Sequence, residues 1–403
     1  MWNSAKQFST DTEVKFVLGS AFGDEGKGVT VQYLCQKALD EGKSPLVIRF
    51  SGGPQAAHTV NHNGIEHICS TYGSGVLLGV PTLVYEDAYF DPISAKKEYE
   101  ALKEKIGTVP DLYVHHKAKC ITPFDTLFGR TNVKVQKDGT CGKGIYNTFK
   151  RHEDGWITTL SSFINKTVSK VKEYYKDNKV FYPELYEECE SLLAEEVNGF
   201  ANGEYDFIKE WTPHSFKEEH SVVIIEGSQG LLLDMDCGFF PHVTPSKVGL
   251  NGVPKEWLKN AEVYFVMRTY LTRHGNGYEP NDTYLEDLNL DGKHETNVFN
   301  QYQGEFKVGI CDFDLINEAF KRHCIDNKLM LYHMKPNLVV THFDVLEKCG
   351  KFPYIRNGRI EEREYDNIPS LYGLFFYFPK DFYFEKMFIN DSVESNLTKV
   401  YEV

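Results

Sequence analysis

The sequence predicts an α/β fold with a largely parallel central sheet flanked by helices. Three observations carry that prediction. Short β-rich runs, several of them continuous and apolar, recur at Lys15–Leu18, Leu46–Phe50, Leu83–Tyr85, Val222–Ile225, Val263–Met267, Leu338–Thr341 and Leu374–Phe378. Strands buried on both faces read this way, because neither face has to be polar. Helix-prone stretches such as Val29–Leu39 and Pro92–Lys105 fall between them, as the crossovers of a parallel sheet require. The first apolar run then leads directly into GSAFGDEGKG, residues 19–28, with four glycines, two acids and one lysine in ten positions. A strand, a glycine-rich turn and a helix start in that order make a phosphate-binding junction.

The remaining elements are placed around that core. Residues from about 155 to 220 are polar and helix-prone, and are expected to form a helical excursion beside the sheet. From Ile355 onward Phe and Tyr are frequent, so the part from about 351 to 403 is read as a smaller C-terminal α+β region. No repeat or low-complexity linker divides residues 1–403, and a single domain is expected.

Bulk properties exclude several classes. A net charge of −14 argues against a nucleic-acid partner held by a basic surface. It leaves room for small anionic ligands, which need only local positive charge. Nine cysteines without a CxxC pair fit free thiols in a reducing compartment. No apolar run approaches a membrane span, and the first residues lack a signal core. The expectation is a cytoplasmic protein, in host cytoplasm for a viral one, with no membrane or nucleic-acid partner.

The opening stretch departs informatively from the usual phosphate loop, GxxxxGK[ST]. The matching window is Ala21 to Gly28, so Ala21 replaces the first glycine and Gly28 the magnesium-binding hydroxyl. Asp24 and Glu25 sit inside the loop. A carboxylate beside a phosphate is costly unless a metal or proton chemistry needs it. The loop therefore calls for phosphate, magnesium and a base together. The bland reading is a surface turn, with Asp24 as an ordinary helix cap.

GDEGKG after a first strand resembles the signature of adenylosuccinate synthetases, and seven further segments resemble that family in its order. RFSGGPQAAHT (49–59) is similar to its R-x-x-G-G-x-N-A-G-H-T, and GTCGKGI (139–145) to G-T-T-x-R-G-I. EGSQG (226–230), LDMDCG (233–238) and PHVT (241–244) are similar to E-G-A-Q-G, L-D-x-x-x-G and P-x-V-T-S. TRHGNG (272–277) resembles T-R-V-G-x-G, and THFDVL (341–346) resembles T-K-L-D-V-L. The resemblance implies a ligase that joins L-aspartate to IMP, with GTP activating the purine oxygen and Mg2+ as cofactor. It implies Asp24 as the base for the purine N1 proton, His58 as the hydrogen-bond donor to O6, and Lys27 as the group that neutralises the γ-phosphate. Gly23, Glu25, Gly26, Lys27, Gly28, His342 and Asp344 would bind the triphosphate. Asp24, Gln55, Thr140, Cys141, Gln229 and Thr244 would bind the purine monophosphate. Gln303, Gly304, Lys307 and Arg273 would bind the amino acid. Asp24 and carbonyls of the Gly53 to Ala57 loop would hold the metal. The family works as a homodimer with an arginine reaching the neighbour's nucleotide, for which Lys150 and Arg151 are the candidates.

Three departures stand against the family pattern. The aspartate-binding T-T-G-R-x-R-R-x-G-W-L-D becomes YQGEFKVGICD (302–312), without its arginines. Lysine cannot copy the bidentate fork that arginine offers a carboxylate. The guanine-reading T-K-x-D becomes Thr341-His342-Phe343-Asp344, and the late S-T-G-P-x-R has no good match, which opens ATP or dATP as donor. The 302–312 loop and TRHGNG resemble a viral branch that joins aspartate to dGMP. That branch is expected to carry a small residue where this chain keeps Asp24. The alternatives are thus IMP, dGMP, or a nucleotide-binding protein without catalysis. The trio Asp24, Lys27 and His58 opposes the last, since binding alone needs no proton acceptor beside a phosphate.

Overall fold

The computed structural model describes residues 11–131, 141–212, 220–283, 306–325, 333–376, 383–390 and 399–402. Strand β1 (Glu13–Gly19) shows why its sequence is apolar without alternation. Phe16 and Leu18 enter one core with Ile48, Ile225, Phe265 and Val340. Val17 points to the opposite face, where Val31, Leu34, Cys35 and Ala38 of helix α1 (Lys27–Asp40) meet it. Both faces are dry, so both parities must be apolar.

β1 lies inside a ten-stranded sheet. Across the sheet the strands are Lys399–Glu402, Lys386–Ile389, Lys335–Thr341, Glu262–Arg268, β1, Val222–Gly230, Pro45–Arg49 (β2), Thr82–Val84, Leu112–His115 and Ile208–Trp211. Every pairing is parallel except that of the edge strand Lys399–Glu402. The sheet thus aims the carboxyl ends of β1, β2, Val222–Gly230, Glu262–Arg268 and Lys335–Thr341 the same way. Open parallel sheets bind ligands at such an end. This arrangement is the predicted fold class.

Two local expectations are corrected. The 155–220 excursion is helical as far as Pro183–Ala201, but it closes with Ile208–Trp211, which pairs with Leu112–His115 at the sheet edge. The run expected as a strand at Leu374–Phe378 begins instead as a helix, Tyr372–Phe376. A short apolar run does not fix its own period, and here Leu374 and Phe375 are both buried in one core. A second sheet of four strands carries the C-terminal region: Tyr270–His274, Phe306–Asp312, Lys351–Arg356 and Arg359–Glu364. Among the described residues no helix is long and apolar enough to cross a membrane.

Candidate active site

The loop between β1 and α1 is built by its own second carboxylate. Glu25 is buried and accepts the backbone N–H of Ala21 (3.0 Å) and Gly23 (2.8 Å) and the Lys27 ammonium (2.8 Å). A side chain on Gly19 would fall 2.2 Å from that carboxylate, so this position has to be glycine. Gly23 and Gly26 take positive φ, as does Asp24 at 62°. A non-glycine residue there carries strain, which is commonest at functional sites. The helix N-cap is Gly26 with no side-chain cap, so Asp24 is not the helix cap. Its carboxylate is free for other work.

Neighbouring strands hold the loop from outside. Arg268 Nε donates to the Asp24 carbonyl, Thr272 Oγ1 to the Gly23 carbonyl and Thr341 Oγ1 to the Glu25 carbonyl. His274 Nε2 reaches Asp24 Oδ2 at 3.1 Å. Burial on its own would raise the Asp24 pKa. The hydrogen bond from His274 and the charges of Arg268 and Lys27 outweigh it and hold the carboxyl at about 2. Asp24 is therefore ionised at every working pH.

His58 opens the strand His58–His62, and its Cβ would lie 2.8 Å from a side chain on Gly28, so its backbone rests against the first turn of α1. His58 Nδ1 donates to Glu226 Oε1 at 2.5 Å. Glu226 is fully buried and also takes the Ser74 N–H (3.0 Å) and hydroxyl (2.5 Å). Burial opposes its charge, but Arg49, His58 and Ser74 overcome that and hold Glu226 at about 2. Burial in turn pushes His58 below 6.5, against the pull of Glu226. At neutral pH the ring is uncharged, with its proton on Nδ1. Nε2 is buried and, among the described residues, has no partner. The carboxamide oxygens of Gln55 and Gln229 are likewise buried without partners.

Three segments bring these groups together. Ser51 and Ser228 share a hydrogen bond at 2.9 Å, which ties the Gln55 loop to the strand that carries Gln229. Gly52 N donates to Ser246 Oγ and Tyr89 OH to the Pro245 carbonyl, which seats the buried Thr244 beside them. Asp234 organises that loop by accepting the N–H groups of Asp236, Cys237, Val248 and Gly249. Gly53 packs against Ile145 and Tyr89, so Cys141 is only four residues from this contact. Thr140, Gln303 and Gly304 lie outside the described residues.

The remaining candidates are placed less simply. Arg273 donates Nε and Nη2 to the Asn276 carbonyl and lies 4.3 Å over the Phe22 ring. Burial lowers its pKa to about 10, with partial relief from Glu279, so it stays charged. Lys307 is ion-paired with Glu279. His342 is pushed far below its ordinary value by burial and by Arg268, and so is neutral. Asp344 stands 3.8 Å from Lys348. Arg151 cannot serve a neighbouring subunit. It is wholly buried, forked onto Asp125 at 2.9 and 2.8 Å, and bonded to the Trp156 and Cys120 carbonyls. Lys150 is exposed.

Three residues of the site were not singled out from sequence: Glu226, His274 and Arg268. Glu226 and His274 lay inside quoted segments, where the signal was available. Arg268 ends an apolar strand and has no local signal.

The adenylosuccinate synthetase family model matches residues 16–371. Adenylosuccinate synthetase of Mesoplasma florum is 28% identical over 381 residues, covering 88% of this chain and 82% of its own. That of Christiangramia forsetii is 29% identical, covering 85% and 82%. Among solved structures, the fully ligated adenylosuccinate synthetase of Plasmodium falciparum superposes with a TM-score of 0.72 at 20% identity, covering 97% of this chain and 100% of that one. Succinoaminodeoxyadenylate synthetase of cyanophage S-2L, bound to dGMP and dATP, superposes with a TM-score of 0.57 at 16% identity, covering 90% and 98%. With a family match over most of its length and the strand–loop–helix site at the carboxyl end of its sheet, this chain belongs to the adenylosuccinate synthetase family, the ligases that form carbon–nitrogen bonds.

Proposed function

We propose that the protein joins L-aspartate to C6 of IMP through a 6-phosphoryl intermediate, with GTP as phosphoryl donor, in a homodimer. The observation that supports this most is the buried His58 Nε2, left without a partner while Glu226 fixes the other ring nitrogen. A ring nitrogen fixed in this way becomes, once protonated, a donor suited to an oxygen on which charge develops.

The residues divide the work as follows. Asp24 takes the N1 proton of the purine. A carboxylate held near 2 is a weak base, so the proton moves as O6 bonds to the γ-phosphorus and N1–H becomes more acidic. The phosphorus–oxygen bond to the departing nucleoside diphosphate breaks in that step. His58 is neutral when free, and takes a proton from solvent as phosphate charge arrives beside it. The imidazolium then donates from Nε2 to O6, with Glu226 offsetting its charge. Lys27, paired with Glu25 at the start of α1, would neutralise the γ-phosphate. The aspartate amine then displaces phosphate from C6. The donor set suits magnesium: the Asp24 carboxylate has one oxygen on His274, and Gly53 and Ala57 supply carbonyls, to which substrate phosphates add. Bound there, magnesium neutralises phosphate charge.

A second reading, dGMP as substrate with ATP or dATP as donor, is supported by the likeness of the 302–312 and TRHGNG segments to the viral branch and by the ligands named for the phage enzyme. One experiment separates the readings. Purified protein is incubated with magnesium, aspartate and GTP, ATP or dATP, together with IMP, dGMP or GMP, and products are separated by chromatography. A succino-adduct of IMP with GTP supports the first reading, and an adduct of dGMP the second. Tight nucleotide binding without any adduct overturns both in favour of a binding protein.

A further inference from the structure

We propose that His274 is a positioning residue for Asp24, holding its carboxylate in the orientation that receives the purine proton. The inference rests on the ligase reading above, and its starting point is a mismatch of rigidity. Asp24 sits on a loop, in left-handed backbone geometry, between two positive-φ glycines. Nothing in that loop fixes its side chain, since the loop amides of Ala21 and Gly23 are spent on Glu25. The described hydrogen bond to the carboxylate comes from elsewhere, from His274 Nε2 on Oδ2 at 3.1 Å.

His274 is placed to supply such rigidity. It ends the strand Tyr270–His274, opposite Phe306 in the antiparallel register, and its ring lies 4.7 Å from the Phe306 ring. The next turn is tied back by Arg273, which donates twice to the Asn276 carbonyl. Gly277 has to be small, because a side chain there would meet the Arg273 guanidinium at 2.4 Å. Ring position is thus set by a sheet and a braced turn, both stiffer than the loop they support. The proton is placed as well. Among the described residues the buried His274 Nδ1 has no partner while Nε2 has Asp24 Oδ2, so Nε2 is the nitrogen that donates to the carboxylate. The charged groups facing Asp24 from other elements, Arg268 and Lys27, do not duplicate this. Arg268 Nε holds the Asp24 carbonyl, and Lys27 Nζ holds Glu25.

The test uses the full-length protein and two variants, His274→Val and His274→Gln. The glutamine amide places an N–H near the position of Nε2, whereas valine offers no donor. With the purine that wild type turns over, His274→Val is expected to lose kcat on the order of 100-fold, the usual cost of a misplaced base. Its nucleotide KM should stay within about threefold, since binding groups are untouched. His274→Gln should recover most of the loss. A structural role alone would lower both variants together with their melting temperatures. Equal kcat in His274→Val and wild type overturns the proposal, and so does a glutamine variant no better than valine. A second readout needs no turnover: 15N resonances of the His274 ring at fixed pH should show Nε2–H, with its proton shift moving upfield in Asp24→Asn. A ring protonated on Nδ1, or one that ignores Asp24→Asn, overturns the proposal. Wild-type protein that makes no adduct sinks the ligase reading instead, and these resonances then decide the pair.

Discussion

Replacing Glu226 with glutamine removes one charge from a wholly buried cluster and changes almost no volume. In the native protein this carboxylate is held at about 2 instead of its ordinary 4.5. Linkage converts that difference into about 3 kcal/mol of stability at neutral pH. The sign follows from a depressed carboxyl: the contribution is complete above the unfolded value near 4.5 and drains away as pH falls towards 2. It should be down to roughly half of that by pH 3. For 403 residues the unfolding entropy is about 0.85 kcal/mol/K, so the variant should melt about 3–4 °C lower at pH 7. The assay is a pair of thermal melts, wild type against Glu226→Gln, repeated from pH 7 to pH 3. The gap should narrow by roughly half as acid protonates the native carboxylate. A gap that is absent at pH 7, or constant down to pH 3, would refute the argument that charge at Glu226 holds the cluster. The same change removes the partner that raises His58, so the His58 ring should titrate lower still in the variant, as NMR would read.

Asp24→Ala should abolish turnover while calorimetry finds much of the nucleotide affinity kept, because the proposed base contributes most in the chemical step and the other binding groups remain. Gly19→Ala forces a Cβ to within 2.2 Å of the Glu25 carboxylate. It should cost about 2–3 kcal/mol in urea unfolding and weaken triphosphate binding by disturbing the loop. Arg151→Met leaves Asp125 charged and buried without its fork. It should cost about 3–5 kcal/mol, with the loss largely relieved when Asp125→Asn is added. Failure of that second change to restore stability would mean the pair is not the cause.

Much of this architecture could be read from order and spacing. A strand running into GDEGKG told of a parallel sheet with its loop at the carboxyl end, because strand, turn and helix are adjacent in sequence. His58 could be named for the same reason, as part of a contiguous segment. What Glu25 does could not be read. Its capture of the loop amides depends on the loop folding back, and no pattern of residue types encodes that. The Leu374–Phe378 run was misjudged because a short apolar stretch serves a buried helix as well as a strand. Arg151 was offered to a neighbouring subunit because its charge was visible and its burial was not. Asp125, its partner, lies 26 positions away. His274 shows the opposite case. Its letter was noticed, but its neighbour Asp24 is 250 positions upstream and becomes visible only once the sheet is formed.

The loop at residues 20–26 is synthesised well before the residues that grip its carbonyls, Arg268, Thr272 and Thr341, which come 244, 249 and 316 positions later. Contacts of such long range are slow to form. A nascent chain holds β1 and the glycine turn long before it holds the strands that give the turn its shape. The glycine loop is thus completed late in folding, and nucleotide binding should mature later than the bulk of the helical signal does. Chains truncated ahead of Thr341 would keep the signature sequence and lose the geometry that makes it a site.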